Sequence, residues 1–307
     1  MVPAAGIRPR WPVAPRAVLA VVVLAVLPPG SQGPAGPFRA EVDVVDITAT
    51  VTDRGGRFVP GLGKDDFVVY DDGVPQPLAR FGAEREPVSL GLLLDASGSM
   101  DNDKLQAAQS ALESLVVNHL PPGDELFFVE FGYSAALTQA WTTDRALIRG
   151  ALRGVVRPTG DTALYDAVAL AVPTAQSGQH RKKALLVVSD GRDSRSAVSL
   201  DELRDELRRA DVIVYAIGMD APRPRRAERV DVPTLRRITD PTGGRTEVVR
   251  DVRQVDGAVA RIADELGRQY RLSYARQGVR DGRWHAIRVE VRKRGVQVRA
   301  RSGYVAN

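Results

Sequence analysis

The stretch Asp95-Ala96-Ser97-Gly98-Ser99 sets one carboxylate and two hydroxyls on alternate residues. Oxygen donors of this kind suit a hard cation such as Mg2+, Mn2+ or Ca2+. An apolar run, Val88 to Leu94, leads directly into it, as expected of a strand buried on both faces. A helical stripe follows within Lys104 to His119, carried by Leu105, Ala108, Leu112, Leu115 and Val116. The string therefore falls in the loop at the carboxyl end of a buried strand. Open α/β sheets bind ligands there, at the point where strand order reverses. Alone the string is weak, because Ser and Asp are also common helix N-caps.

Two further segments should reach the same edge. The buried strand Ala184 to Ser189 runs straight into Asp190-Gly191, and Gly160-Asp161-Thr162 precedes a helix over Ala163 to Ala175. Asp95, Ser97, Ser99, Thr162 and Asp190 then supply two carboxylates and three hydroxyls. Two carboxylates only neutralise a dication, and hydroxyls are weak ligands. An outside carboxylate is therefore attracted to the remaining position. Asp101 and Asp103 are expected to favour the following helix N-terminus through its dipole. Asp161 reads as a solvated turn residue, Asp166 as a first-turn helix acid. Glu130, near the end of the strand Leu126 to Phe131, is a weaker candidate for a group behind the ligands.

The elements that must position these residues alternate. Leu137 to Trp141, Val212 to Ile217 and Arg245 to Val249 read as further strands. Thr143 to Leu152, Ser199 to Ala210, Pro233 to Thr239 and Val252 to Gly267 read as helices. Ser199 with Glu202 forms a capping-box signature. Strands alternating with helices predict a doubly wound, mostly parallel sheet covered on both faces. Outside that core the rhythm is β. Val42 to Val51 and Phe67 to Tyr70 precede it; Gln269 to Tyr274, His285 to Val291 and Val296 to Ala300 follow it. Two or three strands alone bury too little to be stable. The two flanks are expected to join as one small antiparallel β domain, formed by 38–86 and 268–307, with the α/β domain 87–267 inserted between them.

Composition excludes several classes. The 307 residues are 44% hydrophobic and 26% charged, with no cysteine, so disulfides, thiolate metal sites and cysteine nucleophiles are ruled out. The three histidines, His119, His180 and His285, are not at ligand spacing from one another. A net charge of +5 is spread over arginines without interleaved stacking aromatics, which argues against nucleic acid as a partner. The proline-rich Arg223 to Arg229 run reads as a solvated loop. At the start, Arg8, Arg10 and Arg16 precede the apolar run Ala17 to Leu27, and small, turn-forming residues follow. That order is a secretory signal, and the run is shorter than the roughly 20 helical residues a bilayer crossing needs. Segment 1–36 is thus expected to be a signal peptide or an N-terminal anchor and linker. The protein is expected to be periplasmic, secreted or envelope-associated, touching membrane only through that segment if it is uncleaved.

From about 87 to 267 the chain resembles a von Willebrand factor type A domain. The metal-ion-dependent adhesion site of that family is matched at Asp95, Ser97, Ser99, Thr162 and Asp190. The resemblance implies a six-stranded sheet with one antiparallel strand. It also implies a bound Mg2+ or Mn2+, and recognition of a protein partner presenting Asp or Glu. The flanks are similar to a bacterial VWFA-related group, through the segment Val51 to Leu62, Asp66-Phe67, Tyr70-Asp71-Asp72-Gly73, Gln269-Tyr270-Arg271-Leu272, Asp281-Gly282-Arg283-Trp284 and Arg301-Ser302-Gly303-Tyr304. An exported binding or scaffold protein is the reading these residues favour. One alternative is a structural domain whose metal only stiffens loops. The other is a metal-dependent hydrolase, disfavoured because there is no Gly-x-Ser-x-Gly elbow, no phosphate-binding loop and no histidine near a candidate serine.

Overall fold

A computed structural model describes residues 43–156, 160–220, 229–276 and 280–306. The N-terminal apolar run and most of the Arg223 to Arg229 loop lie outside the described residues. In chain order the strands and helices are β1 (Val44–Asp53), β2 (Phe67–Asp71), β3 (Val74–Gln76), β4 (Leu78–Gly82), β5 (Val88–Asp95), α1 (Asn102–Ser114), β6 (Glu125–Phe131), β7 (Ala135–Thr142), α2 (Arg145–Gly154), α3 (Leu164–Gln176), β8 (Lys182–Ser189), α4 (Leu200–Arg209), β9 (Ile213–Met219), α5 (Val232–Thr239), β10 (Thr246–Val249), α6 (Val255–Gly267), β11 (Tyr270–Ala275), β12 (Trp284–Val291), β13 (Val296–Arg299) and β14 (Gly303–Val305).

Six strands form one sheet in the order β10-β9-β8-β5-β6-β7. All neighbours are parallel except β7, which runs antiparallel to β6. Every residue of β5 is buried. Alternation along the strand divides its side chains between two cores. Leu92 and Leu94 pack with Leu112 of α1, Leu152 of α2 and Ile262 of α6. Leu93 packs on the opposite face with Val168 of α3, Leu203 of α4 and Leu235 of α5. A strand whose two faces both meet helices has no solvent side, hence its unbroken apolar run. The doubly wound α/β architecture expected from the sequence is the one observed.

The remaining strands make two four-stranded antiparallel sheets, β13-β1-β11-β4 and β14-β12-β2-β3. They share a third core built from Ile47 and Val51 of β1, Phe67 and Val69 of β2, Leu272 and Tyr274 of β11, and Ile287 of β12. Tyr270 sits at its aromatic centre, 5.3 Å from Phe58, 5.1 Å from Phe67 and 5.9 Å from Phe81 between ring centroids. Its hydroxyl donates to Val59 O (2.7 Å) and accepts from Leu62 N (3.2 Å), so the one polar atom in this aromatic cluster is satisfied. Strands from before and after the α/β segment alternate in β13-β1-β11-β4 and meet once, at β12 and β2, in the other sheet.

Local details depart from the sequence expectation at element ends. Helix α1 begins at Asn102, because the Asp101 carboxylate caps it by accepting from Lys104 N at 2.9 Å. Its continuation, Leu115–His119, widens to π geometry. The short strands β3, β4 and β14 carry no clear alternation and are found only through their pairing.

Lys182 opens β8 at the end of the sheet opposite Asp95. It is buried, its Nζ donates to Leu266 O at 2.9 Å, and desolvation pulls its pKa down to about 8. Between about 8 and 10.5 the unfolded chain binds the proton that the folded chain has lost. Stability therefore rises with pH across that window, by about 3 kcal/mol at most. We expect Lys182→Met to remove this rise. Urea midpoints of wild type and variant at pH 7.5 and about pH 10 check it. Parallel slopes for the two proteins would contradict it.

Candidate functional site

The site forms where β5 and β8 end side by side. Leu94 pairs with Val188, which sets the next residues, Asp95 and Ser189, next to each other. The Ser189 hydroxyl donates to Asp95 Oδ2 at 2.6 Å, and Ser97 N donates to Asp95 Oδ1 at 2.9 Å. The chain leaves β5 towards β6 and leaves β8 towards β9, in opposite directions along the sheet, so the cleft between them is the switch point.

Ser97 and Ser99 turn to the same side, with their hydroxyls 3.1 Å apart. Between them Gly98 N donates to Gly160 O at 3.2 Å. A Cβ on Gly98 would meet that same oxygen at 3.2 Å, so the glycine lets the Gly160–Thr162 loop come close. That approach carries Thr162 to the same edge. The Thr162 backbone is held from both sides: its N donates to Ser194 Oγ at 3.0 Å, and its O accepts from Ser194 N at 2.9 Å. Among the described residues, no hydrogen bond joins the Thr162 hydroxyl to the other four side chains.

Asp190 follows β8 directly. Its backbone oxygen accepts from Asp231 N at 2.8 Å, and its carboxylate accepts from Arg192 N at 3.1 Å. Gly191 is left-handed at φ +82, and a Cβ there would lie 2.8 Å from Asp231 O, so only glycine lets the two loops touch.

Asp95, Ser97, Thr162 and Asp190 are each at most 4% exposed, although the site lies at a loop edge. Burial pushes the Asp95 carboxyl up to about 6, and the charge of Asp190 adds to that, against the lowering effect of the serine hydrogen bonds. The described residues give Asp95 no ion pair. Asp190 has one, to Arg192 at 3.6 Å. Two buried carboxylates that repel each other, beside hydroxyls that carry no charge, fit a hard divalent cation. Asp95 and Asp190 would supply charge to it, and Ser97, Ser99 and Thr162 neutral oxygen. The cation itself would supply a positive centre able to accept one more oxygen.

Other candidates fall elsewhere. Asp101 is the α1 cap, and Asp103 and Asp161 are exposed. Glu130 is half-buried, and desolvation raises its carboxyl. Asp166 does more than serve a first turn: its two oxygens accept from Val198 N (2.9 Å) and Ala197 N (3.0 Å), pinning the 192–198 loop to α3. Three features carry no sequence signal. Lys104 is buried and donates from Nζ to Ser99 O at 3.2 Å. Asp193 accepts from Tyr165 N at 3.2 Å, fixing the same loop. Tyr133, 54% exposed, carries the Arg195 guanidinium stacked 3.8 Å over its ring at the rim.

Sheet order, helix placement and the loop cluster together define a class. The sequence model of the von Willebrand factor type A domain matches residues 90–192, and the α/β domain has that fold. Solved structures agree on the fold. A von Willebrand factor type A protein from Catenulispora acidiphila aligns with a TM-score of 0.51 at 16% identity, over 87% of this chain and 75% of that one. Proximal thread matrix protein 1 from the mussel byssus gives 0.51 at 16% identity, over 64% and 51%. The vWF domain of the type V pili tip protein Mfa5 from Porphyromonas gingivalis gives 0.51 at 14%, over 65% and 100%. No curated protein sequence matches the chain.

Proposed function

We propose that this chain is an exported binding module. Its type A domain would grip a protein partner through a divalent cation, Mg2+ in the first instance, held by Asp95, Ser97, Ser99, Thr162 and Asp190. The observation that carries this reading is the pair of buried carboxylates, Asp95 and Asp190, beside the hydroxyls of Ser97, Ser99 and Ser189 at the switch point. A dication held by two carboxylates and neutral oxygens retains affinity for one more anionic oxygen, which an Asp or Glu of the partner provides. The rim supports binding as well. Exposed Tyr133 with Arg195 over it offers an aromatic surface and a cation for an acidic partner, residue types that anchor interfaces. Export rests on segment 1–36. Among the described residues no helix is long and apolar enough to cross a membrane.

The test is a random peptide library panned on the immobilised chain, with Mg2+ and with chelator. Recovered peptides should share an Asp or Glu, and chelation or Asp190→Ala should release them. Peptides without an acidic residue, held equally well in chelator, would refute the proposal. If chelation lowers the melting temperature while binding persists, the metal only stiffens loops.

A further inference from the structure

A second group of ligand-type side chains lies in the β sandwich, away from β5. Asp71, Asp72 and His285 offer two carboxylate oxygens and an imidazole nitrogen, all within 4.8 Å of one another. Asp71 ends β2, and Asp72 follows it in the left-handed region at φ 47. That turn brings two sequence neighbours, which on a regular strand would face opposite sides, to the same point. His285 comes from the neighbouring strand β12, more than 200 positions later, where Ile287 pairs with Asp71.

Asp71 is only 9% exposed. Its Oδ2 accepts from the Tyr274 hydroxyl (2.8 Å) and the Tyr304 hydroxyl (2.9 Å). Burial, and then the bond to Asp71, push the Tyr274 phenol far above its usual range, so it remains a donor. The other oxygen, Oδ1, is buried without a hydrogen-bond partner and faces His285 Nδ1 at 3.8 Å. A buried anionic oxygen left unbonded is costly and calls for a ligand. Asp72 Oδ2 lies 2.9 Å from the same Nδ1, while its Oδ1 is held by Ala286 N at 2.8 Å. On the far side of the ring, His285 Nε2 is 3.2 Å from Asp281 Oδ1, and the ring stacks on Tyr304 at 5.3 Å.

We infer that Asp71 Oδ1, Asp72 Oδ2 and His285 Nδ1 form a binding site for a transition-metal dication of the Zn2+ type, distinct from the all-oxygen site at Asp95. The donor set decides the metal class: imidazole with carboxylates suits zinc and its neighbours better than Mg2+ or Ca2+. Tetrahedral zinc with bonds of about 2.1 Å sets its donors about 3.4 Å apart. The separations from His285 Nδ1, 2.9 Å to Asp72 and 3.8 Å to Asp71, lie on either side of that, and the two carboxylate oxygens, within 4.8 Å, would draw together on binding. Asp281 completes the arrangement. With Nδ1 on the metal, Nε2–H donates to Asp281, the carboxylate–histidine–metal relay that fixes ring orientation and strengthens the ligand. Water completes the coordination shell.

The test is a Zn2+ titration of the full chain with Mg2+ in excess, followed by the nitrogen resonances of the three imidazoles. One equivalent of Zn2+ should shift a single imidazole through its Nδ1, and His285→Gln should remove that signal. Asp281→Asn, which keeps all three ligands, should weaken Zn2+ binding by about tenfold or more. Asp95→Asn should leave it unchanged, which separates this site from the one at the sheet edge. Should His285→Gln fail to fold, the wild-type spectrum and Asp281→Asn still decide. No perturbed imidazole, perturbation of His119 or His180 instead, or loss of Zn2+ binding in Asp95→Asn would each overturn the inference.

Discussion

Asp95→Asn should abolish the response of stability to Mg2+ and at the same time leave the metal-free protein at least as stable as wild type. The side chain is fully buried, and its ionised form is disfavoured there even with Ser97 N and the Ser189 hydroxyl donating to it. A shift from 3.8 to about 6 corresponds to about 3 kcal/mol against the charged state at neutral pH. Asparagine removes the charge and its repulsion with Asp190, and its carbonyl oxygen still accepts one of the two donors. Divalent metal reverses the balance for the wild type only. At a hundred times its dissociation constant, a ligand of the folded state adds about 2.7 kcal/mol, enough for a rise of several degrees in melting temperature. Calorimetry on both proteins, in Mg2+ and in chelator, reads the effect. A variant that Mg2+ still stabilises as much as wild type would remove Asp95 from the metal.

The Asp95 loop is legible in the amino-acid sequence because its parts lie close together along the chain. The apolar run of β5, the oxygen-bearing residues after it and the start of α1 fall within about fifteen positions, and strand and helix each obey a local periodicity. The capping box of Ser199 and Glu202 is likewise local, and the structure contains both of its hydrogen bonds. What fixes Thr162 is not local. Ser194, Asp193 and Asp166 bind across about thirty positions, through single hydrogen bonds that leave no periodic trace. The burial of Lys104 is hidden for a similar reason, since its helical position reads as an ordinary charged one until the Asp95 loop folds over it. Distance is greatest in the β sandwich. Asp71, Asp72 and His285 meet only because β2 pairs with β12, and nothing in the spacing of three histidines suggests that one of them gains two carboxylates.

The same long-range logic puts the largest expected stability loss at Glu265, near the end of α6. Its side chain is buried where the six-stranded sheet meets the sandwich. Oε1 accepts from the Thr50 hydroxyl of β1 (3.2 Å) and the Tyr215 hydroxyl of β9 (3.0 Å). Arg299 of β13 is 2.7 Å from Oε1, and Arg245, just before β10, is 3.1 Å from Oε2. Gln269 closes the network by donating to both Thr50 and Tyr215, at 3.0 and 2.9 Å. Glu265→Ala would leave the Arg245 and Arg299 guanidiniums without their shared anion, and a buried tyrosine hydroxyl without its acceptor. Removing one member of a buried charge network costs about 3–5 kcal/mol. Arg245 keeps a second partner in Glu247 at 3.0 Å, which places the loss towards the lower end. Glu265→Gln preserves an acceptor and should cost less than Ala. Urea unfolding followed by tryptophan fluorescence is suited to the measurement, because Trp141 lies in the α/β sheet and Trp284 in the sandwich. A loss below about 1 kcal/mol for Ala would mean that the network is solvated rather than buried. Thr50 and Arg299 come from opposite ends of the chain, and both end on a carboxylate of the segment between them.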